Sequence, residues 1–508
     1  MLKLLNSEQT RQADLYTIKS RSVTSLNLME SAAFAFVTVF TTYYTFRDIP
    51  VSIYCGTGNN GGDGLAIARL LKENGYDWVS VKIARYNNTV TDDFQTNLKR
   101  LHLTGIPVSE ITPGGELPQE EAVILIDALL GSGLSGPLRG DYRMLVQYLN
   151  GLGKPIIAVD VPSGFPGEGI IAPESTIIKA DLVISFQRPK INFYFPESAP
   201  FVAKFRFIDI GLDEQFIQAQ PGGWDVLESD DIRDFLSPRA AFSHKGTYGH
   251  ALIIAGSAAT MGAALLCADA CVHAGAGLTT ACIPAEGLAA LNSRSPEVIA
   301  LIRATTPDEP LNFDLLKYQA IAIGPGLGIA GPQTKFLEFV LDNARSPLVM
   351  DADALNILSL NPGWLNRLPS GTILTPHMKE FDRLFGEHQS WWERVEKGRE
   401  VALQHQVIII LKNQYSFIIL PDGKVVINPT GNPAIAVGGM GDVLTGIIAA
   451  LLAQGFEPQI AACLACYLHG KAGDILHEKG GMYCIPPHVI LKKMPEVIGS
   501  FILPRQLI

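Results

Sequence analysis

Cysteine is scarce in this chain, with seven residues among 508. So few cysteines exclude the disulfide-stabilised scaffolds of small secreted proteins. The CxxC pair that begins at Cys463 and the i, i+4 pair that begins at Cys267 both lie in Ala- and Leu-rich helical stretches. No second CxxC or paired histidine completes a zinc-ligand set, so we interpret these cysteines as small core residues.

The chain also lacks a hydrophobic run long enough to span a membrane. Its most apolar uncharged stretch, 31–46, is rich in Thr and Tyr and is shorter than the ~20 residues that a transmembrane helix requires. We predict a buried helix there that extends into an interface. The N-terminus becomes polar after Leu5, too early for a signal peptide. We therefore expect a cytoplasmic protein with no membrane partner. We also expect a homo-oligomer.

Basic residues are in the minority, with 40 Lys and Arg against 50 Asp and Glu and a net charge of −10. Because a nucleic-acid partner requires a basic face, we expect none. Small phosphate ligands remain possible, since backbone N–H groups and helix N-termini hold them without net positive charge. The hydrophobic fraction of 47% indicates a globular protein, and the length predicts two or three domains.

Two series of strand-like apolar runs alternate with helical segments. Many runs are Val, Ile and Leu blocks that end in Gly, Asp or Ser, which is typical of parallel strands buried on both faces. The predicted strands are 51–56, 78–84, 122–131, 155–164, 181–186 and 204–212, then 250–257, 279–284, 320–328, 347–355, 372–376 and 407–413, followed by a hairpin turning at Asp422-Gly423. The pattern predicts two α/β domains, 1–215 and 226–500, with a linker over 216–243.

A glycine-rich loop, GTGNNGGDG at 56–64, follows the first predicted strand and leads into a helix. It contains GxGxxG, which is usually interpreted as the dinucleotide-binding loop of a dehydrogenase. The second strand, however, ends in IARY, without the acidic residue that would hold a ribose. The loop is also unusually polar, since Asn59, Asn60 and Asp63 stand among the glycines. These features favour a different ligand chemistry.

Oxygen-bearing side chains end two later strands of the same domain. Asp127 follows one strand, within IDALLGSGLSGP, and Asp160 and Ser163 follow another, within VDVPSG. Parallel strands bring their carboxyl ends to one edge of the sheet. Asn60, Asp127 and Ser163 could therefore share a weakly charged cation while Asp160 faces the ligand. Each residue alone could equally cap a helix or brace a turn, but the set favours a site.

The motifs CGTGNNGGDG, IDALLGSGLSGPLRG and VDVPSG, with the upstream LNLMESAA, closely resemble the NAD(P)HX epimerases over residues 1 to about 212. That family more often has Gly where Ala33 stands. The resemblance implies a Rossmann-like, doubly wound fold that interconverts the R and S epimers of hydrated NADH and NADPH. It assigns potassium to Asn60, Asp127 and Ser163. Epimerisation needs the hydroxyl to leave and return or the ring to open, and a carboxylate such as Asp160 would serve either route as acid/base. The resemblance places the hydrate against Asn59, Asn60, Gly61, Gly62, Asp63, Gly131, Ser132, Gly133, Leu134, Ser135, Gly136, Pro137 and Asp160.

In the second domain, GGMGD at 438–442 begins a helix whose first turn offers free N–H donors beside Asp442. Such a helix start stabilises anions, and the carboxylate can act as base for a substrate hydroxyl. A simpler role for Asp442 is to favour the helix dipole, but the preceding glycines permit close approach by a ligand. His377 lies at a strand end among charged neighbours, which favours a site over a core histidine.

The segments HKGTYGHALIIAGS, MGAA, TPHMKEF and GNPAIAVGGMGDVLTG resemble the NAD(P)HX dehydratase branch of the ribokinase superfamily. The resemblance implies a ribokinase-like α/β fold in which ADP phosphorylates the S-hydrate and elimination of phosphate restores NADH or NADPH, with release of AMP. It makes Asp442 the base and places Ala263, Gly326 and His377 against the hydrate. It assigns the adenylate to Gly441 and to Lys412, Asn413, Gln414, Tyr415 and Ser416, where Asn413 replaces the family's usual glycine. Mg²⁺ would screen the phosphates, although no acidic pair stands out as its ligand.

Two alternatives remain open at this point. The second domain could be a ribokinase-like vitamin or sugar kinase, and the first could be a non-catalytic binding module. The joint presence of Asn60, Asp127, Asp160 and Ser163 favours a working epimerase. Fusion of the two activities also has a physical logic. Hydration yields both epimers, and a dehydratase shaped for one stereocentre cannot place the other's hydroxyl on its base.

Overall fold

The computed structural model describes residues 1–87, 89–133, 136–303 and 314–502. The chain divides into two compact units. Lys3–Gly222 forms the N-terminal unit, and Gly223–Ile508 together with Met1–Leu2 forms the C-terminal unit. The division falls inside 216–243, the segment predicted as a linker.

The N-terminal unit is built on a seven-stranded sheet in which every neighbouring pair is parallel. In spatial order the strands are Val108–Ile111, Val79–Ala84, Val51–Cys55, Ile124–Ala128, Ile156–Val159, Leu182–Phe186 and Phe205–Ile208. Successive strands are added on one side of Val51–Cys55 and then, from Ile124–Ala128 onward, on its other side. This change in strand order makes the boundary between the two strands the switch point of a doubly wound fold, where ligands usually bind. The Rossmann-like prediction is confirmed.

The helices of this unit are Ser7–Ser20, Ser25–Tyr43, Asn59–Glu73, Asp92–His102, Gly140–Gly151 and Glu214–Ala219, with 3₁₀ turns at Ile191–Tyr194 and Pro196–Ser198. The apolar stretch 31–46 lies mostly in Ser25–Tyr43. Phe36 and Phe40 are fully buried there, whereas Phe34 is 65% exposed. The predicted buried helix is thus confirmed for one face. Among the described residues no single helix is long and apolar enough to cross a membrane, and only the pair Ser7–Ser20 and Ser25–Tyr43, bent by 116°, reaches that length and composition together.

The C-terminal unit contains a larger mixed sheet, ten of whose eleven strands lie within 223–508. In spatial order these are Trp224–Val226, Val425–Asn428, Ser416–Ile419, Ile408–Leu411, Ile373–Leu374, Leu348–Met350, Ala320–Ile323, His250–Ile254, Leu278–Ile283 and Ile299–Ile302. The predicted hairpin supplies the antiparallel pairs. Its described helices of seven or more residues are Ser229–Phe235, Met261–His273, Leu288–Arg294, Gly331–Asn343, Asp353–Leu360, Met378–Phe385, Trp391–His405, Met440–Ala453, Pro458–Glu478 and Pro487–Ile502.

The core of the C-terminal unit depends on close helix packing. Helix Met440–Ala453 is buried along almost its whole length. A Cβ added at Gly446 would lie 2.1 Å from the carbonyl oxygen of Cys267, so only glycine permits this approach to helix Met261–His273. Cys267 is fully buried and Cys463 is 2% exposed, so the interpretation of these cysteines as core residues is confirmed.

The structure differs from the sequence prediction where elements are short. The predicted linker contains strand Trp224–Val226, which pairs with the hairpin, and helix Ser229–Phe235. These two elements are short and lie in a polar stretch with few apolar side chains, so their sequence pattern resembles that of a loop. Edge strands Val108–Ile111 and Ile299–Ile302 were not predicted. Val108–Ile111 has the mixed sequence VSEI, and Ile299–Ile302 is an apolar run of only four residues whose two end residues are exposed. The run 347–355 is a strand only to Met350, after which a left-handed Ala352 leads into helix Asp353–Leu360.

Two candidate active sites

The glycine-rich loop of the N-terminal unit is packed against backbone. A Cβ added at Gly56 would lie 1.9 Å from the carbonyl oxygen of Leu129, and one added at Gly61 would lie 1.9 Å from that of Gly56. A Cβ at Gly62 would meet the sulfur of Met29 at 2.8 Å. Gly61 and Gly62, which were predicted to contact the hydrate, therefore serve mainly to seat helix Asn59–Glu73 against the sheet.

A cavity of about 740 Å³ opens beside this loop at the switch point of the sheet. This volume is in the usual range for small-molecule sites. Of the residues predicted to bind the hydrate, Asn59, Asn60, Asp63, Gly131, Ser132, Gly133 and Asp160 line it. Gly136 and Pro137 are exposed and are not part of its lining. Leu134 and Ser135 lie outside the described residues. The structure thus brings most of the predicted set to one cavity.

The strand ends that carry Asp127 and Ser163 meet as the parallel sheet predicts. The Ser163 hydroxyl donates to Asp127 Oδ1 at 2.6 Å and the Ser163 N–H donates to Oδ2 at 2.7 Å. The Leu130 N–H in turn donates to Ser163 Oγ at 2.9 Å. Burial raises the pKa of Asp127 to about 6, although these hydrogen bonds oppose the shift. Asp127 is thus a buried carboxylate with polar partners but no contact to a cationic side chain among the described residues.

Asn60 lies beside the same turn. A Cβ added at Gly131 would be 3.4 Å from Asn60 Cβ, and Asn60 Nδ2 is buried without a hydrogen-bond partner among the described residues. An amide can present either its oxygen or its nitrogen at one position. An orphaned amide beside a buried, uncompensated carboxylate and a hydroxyl fits a cation that takes oxygen ligands.

Asp160 is held in a strained backbone conformation, with φ of 64°. Its Oδ1 contacts Lys190 Nζ at 2.8 Å and accepts hydrogen bonds from Ser185 Oγ and the Phe186 N–H, each at 3.1 Å. A left-handed non-glycine residue persists only where its surroundings hold it, and such residues cluster at functional sites. These three contacts all use Oδ1, so the carboxylate has a defined orientation in the cavity.

Sequence analysis missed three charged residues of the cavity, Arg11, Asp14 and Lys190. Burial raises the pKa of Asp14 to about 6, with Lys190 opposing and Asp160 adding to the shift. Burial also raises the pKa of Asp63 well above its usual range, with Asp160 and Asp14 contributing. Carboxyls that share a pocket cannot all ionise easily. The strand end before Lys190, in VISFQRPK, was the one available signal, whereas nothing distinguishes Asp14 within the polar helix Ser7–Ser20.

In the C-terminal unit Asp442 occupies the first turn of helix Met440–Ala453. The preceding Gly439 is left-handed, with φ of 91°, and gives the helix no side-chain cap. The first N–H groups are therefore available to a ligand. Burial raises the pKa of Asp442 to about 6, Asp351 adds to the shift, and Lys412 opposes it.

Lys412 lies at the same helix start but is paired with another carboxylate. Its Nζ donates to Asp351 Oδ1 at 2.9 Å, and Thr445 Oγ1 donates to Asp351 Oδ2 at 2.9 Å. Burial alone would lower the pKa of Lys412, but Asp351 and Glu380 raise it. A Cβ added at Gly441 would lie 3.5 Å from Lys412 Nζ. The structure therefore brings Lys412, Gly441 and Asp442 together.

The predicted hydrate contacts lie after three different strands of this unit, Ala263 in the first turn of helix Met261–His273, Gly326 after Ala320–Ile323 and His377 after Ile373–Leu374. Thr260 links two of them, because its hydroxyl donates to the Gly326 carbonyl at 2.6 Å and its carbonyl accepts from the Ala263 N–H at 3.1 Å. His377 caps helix Met378–Phe385, since its Nδ1 accepts from the Lys379 and Glu380 N–H groups at 3.1 and 3.3 Å. The His377 ring is half exposed and forms no part of the core.

A second cavity, of about 250 Å³, lies next to this helix start. It is lined by Lys412, Asn413, Gln414, Ser416 and Gly441, the residues that the sequence assigns to the adenylate apart from Tyr415. Its remaining lining was not predicted and includes Asn428, Thr430, Ile435, Leu444, Cys466 and His469. Within the described residues no group of three or more His, Cys, Asp or Glu side chains could hold a metal ion.

Comparisons with known proteins match the two units in order. The family described as YjeF-related protein N-terminus matches residues 25–192, and the family described as NAD(P)H-hydrate dehydratase matches residues 251–496. A bifunctional NAD(P)H-hydrate repair enzyme of Moorella thermoacetica is 32% identical over 98% of this chain and 97% of its own. The chain belongs to the bifunctional NAD(P)H-hydrate repair enzymes. It is thus an enzyme with an epimerase unit followed by a dehydratase unit.

Further repair enzymes show the same full-length likeness. That of Vibrio cholerae is 33% identical over 97% of each chain, and that of Escherichia coli is 33% identical over 84% of this chain and 81% of its own. A solved Bacillus subtilis ADP/ATP-dependent NAD(P)H-hydrate dehydratase, co-crystallised with ATP and Mg²⁺, is 33% identical and covers 55% of this chain and 98% of its own, with a TM-score of 0.49. Membership of both units in the repair family decides against the vitamin or sugar kinase alternative and against a non-catalytic N-terminal module.

Proposed function

We propose that Asp160 is the catalytic residue for epimerisation of NADHX and NADPHX in the N-terminal unit. We also propose that Asp442 is the catalytic residue for ADP-dependent dehydration of the S epimer in the C-terminal unit. The observation that supports this most is similar in both units. In each, a partly buried aspartate at a strand or helix end interacts electrostatically with a lysine that lines a cavity, Lys190 with Asp160 and Lys412 with Asp442.

Epimerisation at the hydrated carbon requires either that the hydroxyl leave and return or that the ring open and close. Both routes need a proton to be delivered and then removed. Asp63, whose pKa is raised well above its usual range, is the cavity carboxyl most ready to hold a proton. Asp160, oriented by Lys190, acts as its partner base. Asp14, with a pKa raised to about 6, can relay protons between them and solvent.

Potassium is proposed to lie among Asn60, Asp127 and Ser163. It would offset the buried charge of Asp127 and satisfy the orphaned amide of Asn60. Because the Ser163 hydroxyl accepts from the Leu130 N–H, a cation there would also hold the turn that forms one wall of the cavity. The role proposed for potassium is therefore to order the site around the ligand.

Dehydration is proposed to proceed in two steps. Asp442 removes the proton of the substrate hydroxyl, the oxygen bonds to the β-phosphorus of ADP, and AMP leaves. The carbon–oxygen bond to the new phosphate then breaks as a proton leaves the neighbouring ring carbon, which restores the dihydropyridine double bond. Lys412 and the uncapped N–H groups near Gly441 stabilise the phosphate charge. Mg²⁺ is proposed to arrive on the phosphates of ADP.

The cellular setting is also a proposal. Hydrates of NADH and NADPH form wherever the reduced cofactors are, so we infer a cytoplasmic enzyme. We further infer a homo-oligomer, in which the exposed Phe34 on helix Ser25–Tyr43 is the feature that a subunit interface would cover. Analytical ultracentrifugation of the wild type and of Phe34→Asp tests the second inference, since the variant is expected to shift to a smaller species.

A mixed-hydrate assay tests the function as a whole. R- and S-NADHX are incubated with the protein, ADP, Mg²⁺ and K⁺, and the near-ultraviolet absorbance of NADH is followed. Recovery to completion is expected, because epimerisation feeds the dehydratase. A recovery that stops once the S epimer is consumed would refute the epimerase assignment. The absence of recovery with ADP, when ATP supports it, would refute the proposed phosphoryl donor.

A further inference from the structure

The cavity of about 250 Å³ in the C-terminal unit has a lining of two chemically different kinds. Lys412 and Gly441 belong to the first kind, since an ammonium and a helix N-terminus stabilise an anion. Ile435, Leu444 and Cys466 are apolar and come from three different helical elements. A nucleotide whose phosphates lie at Lys412 and Gly441 would have these apolar side chains to pack against its base.

One polar group of the cavity lining has no hydrogen-bond partner that the fold supplies. His469 is 8% exposed and lines the cavity, and its Nε2 is buried without a hydrogen-bond partner among the described residues. Burial lowers the pKa of His469 to about 4, so the ring is neutral at physiological pH. A buried polar atom without a partner costs stability, so it is rare and needs an explanation.

Other buried polar side chains of the cavity are satisfied within the protein. Asn428 Nδ2 donates to the Thr430 carbonyl at 3.1 Å and to the Cys466 carbonyl at 3.2 Å. Thr430 Oγ1 lies 2.9 Å from both the Tyr467 carbonyl and Asn428 Oδ1. The fold therefore supplies partners to the neighbours of His469 but leaves Nε2 open.

The wall around His469 is rigidly built. A Cβ added at Gly470 would lie 2.4 Å from Thr430 Oγ1, so the loop that follows strand Val425–Asn428 packs directly on the helix. Asp474, one turn further along, accepts hydrogen bonds from the Gly431 N–H at 3.1 Å and from Asn432 Nδ2 at 2.9 Å. These contacts fix the position of the cavity wall that carries His469.

We infer that His469 Nε2 hydrogen-bonds the edge of the purine base of the nucleotide and so determines which base the dehydratase accepts. A neutral imidazole offers one donor and one acceptor, which suits the polar edge of a base. A cationic side chain at this place would suit a phosphate instead. The inference rests on the proposed use of ADP and adds a specificity residue to it.

Base analogues combined with a single substitution test the inference on the full-length chain. Four diphosphates each remove one polar position of adenine: purine riboside, 1-deaza-, 3-deaza- and 7-deazaadenosine 5′-diphosphate. The wild type is expected to lose about three- to tenfold in kcat/KM with one of these analogues, the worth of one neutral hydrogen bond. His469→Phe is expected to use ADP and that analogue equally well. Equal discrimination by wild type and His469→Phe would overturn the inference.

Controls separate a ligand contact from a structural role. Cys466→Ala, which alters the same cavity, is expected to lower kcat/KM for ADP and for all four analogues by a similar factor. Without nucleotide, His469→Phe should unfold at the wild-type temperature or above it, because it removes the unpaired nitrogen, whereas its stabilisation by ADP should be smaller. Epimerisation by the same chain reports on the integrity of the N-terminal unit. If the wild type turns over no ADP at all, the proposed function fails, irrespective of His469.

A measurement on the wild type tests the inference even if His469→Phe does not fold. With ¹⁵N-labelled histidine, the Nε2 resonance of His469, assigned from its absence in His469→Gln, is expected to move on saturation with ADP and to stay in place with inorganic phosphate. An Nε2 resonance that ADP leaves unchanged would overturn the inference.

Discussion

The aspartates that we propose as catalytic are held in opposite ways in the two units. In the N-terminal unit Lys190 contacts Asp160 itself, at 2.8 Å, and the aspartate lies at the end of a strand in a strained conformation. In the C-terminal unit the lysine pairs with a different carboxylate, Asp351, and Asp442 lies at an uncapped helix start with its pKa raised to about 6. A lysine on the reacting group orients it, whereas a lysine paired beside it leaves the group basic enough to accept a proton near neutral pH.

The comparison is broken most directly at Asp442. Asp442→Asn removes the proposed base, so dehydration of S-NADHX is expected to fall about 100-fold or more, while epimerisation continues. Chromatography of the R and S epimers without ADP gives the epimerase rate in the same preparation. Substantial dehydration by the variant would place the base elsewhere.

Asp160→Asn is the matched variant of the other unit. It keeps the shape of the side chain but removes its charge, and epimerisation is expected to fall by about the 100-fold that general acid–base catalysis contributes. Dehydration of pure S-NADHX with ADP serves as the internal control and should be unchanged. A variant that epimerises like the wild type would show that Asp160 binds without reacting.

The raised pKa of Asp442 predicts how the rate of dehydration depends on pH. A base works only when deprotonated, so kcat/KM for dehydration is expected to rise with pH through about 6 and then level off. Below that value the slope should approach a tenfold loss per pH unit, the titration of a single group. A profile that is flat from pH 5 to 7 would contradict the assignment of Asp442 as the base.

The proposed cation site is expected to give the smallest effect, which a measurement of the unfolding temperature can detect. The N-terminal unit is expected to unfold a few degrees higher in KCl than in tetramethylammonium chloride at equal ionic strength, since only K⁺ fits among Asn60, Asp127 and Ser163. Asn60→Ala should lose that difference, and Asn59→Ala, at the exposed neighbouring position, should retain it. Equal unfolding temperatures of the wild type in both salts would argue against the site.

Local pattern was enough to predict most strands and the residues at their carboxyl ends. Asp127 and Ser163 are one example, because parallel strands must bring such residues to one edge, and the structure joins them at 2.6 Å. The functions of the glycines could not be predicted in the same way. Gly61 and Gly62 resemble ligand contacts in sequence, but the spaces beside them are filled by Gly56 and Met29.

The sequence by itself determined the two α/β units, their order and the motifs that place Asp160 and Asp442 at element ends, because periodicity and turn chemistry act over a few residues. Only the tertiary structure decided which distant groups line the cavities of the two units. Asp14 and Lys190 lie 146 and 30 residues from Asp160 along the chain, and His469 lies 27 residues from Asp442. Asp14 and Lys190 line one cavity together with Asp160, and His469 lines the cavity next to the helix start that carries Asp442. Burial and proximity across the fold set the charge and the free hydrogen-bonding capacity of these side chains, and no local pattern encodes either.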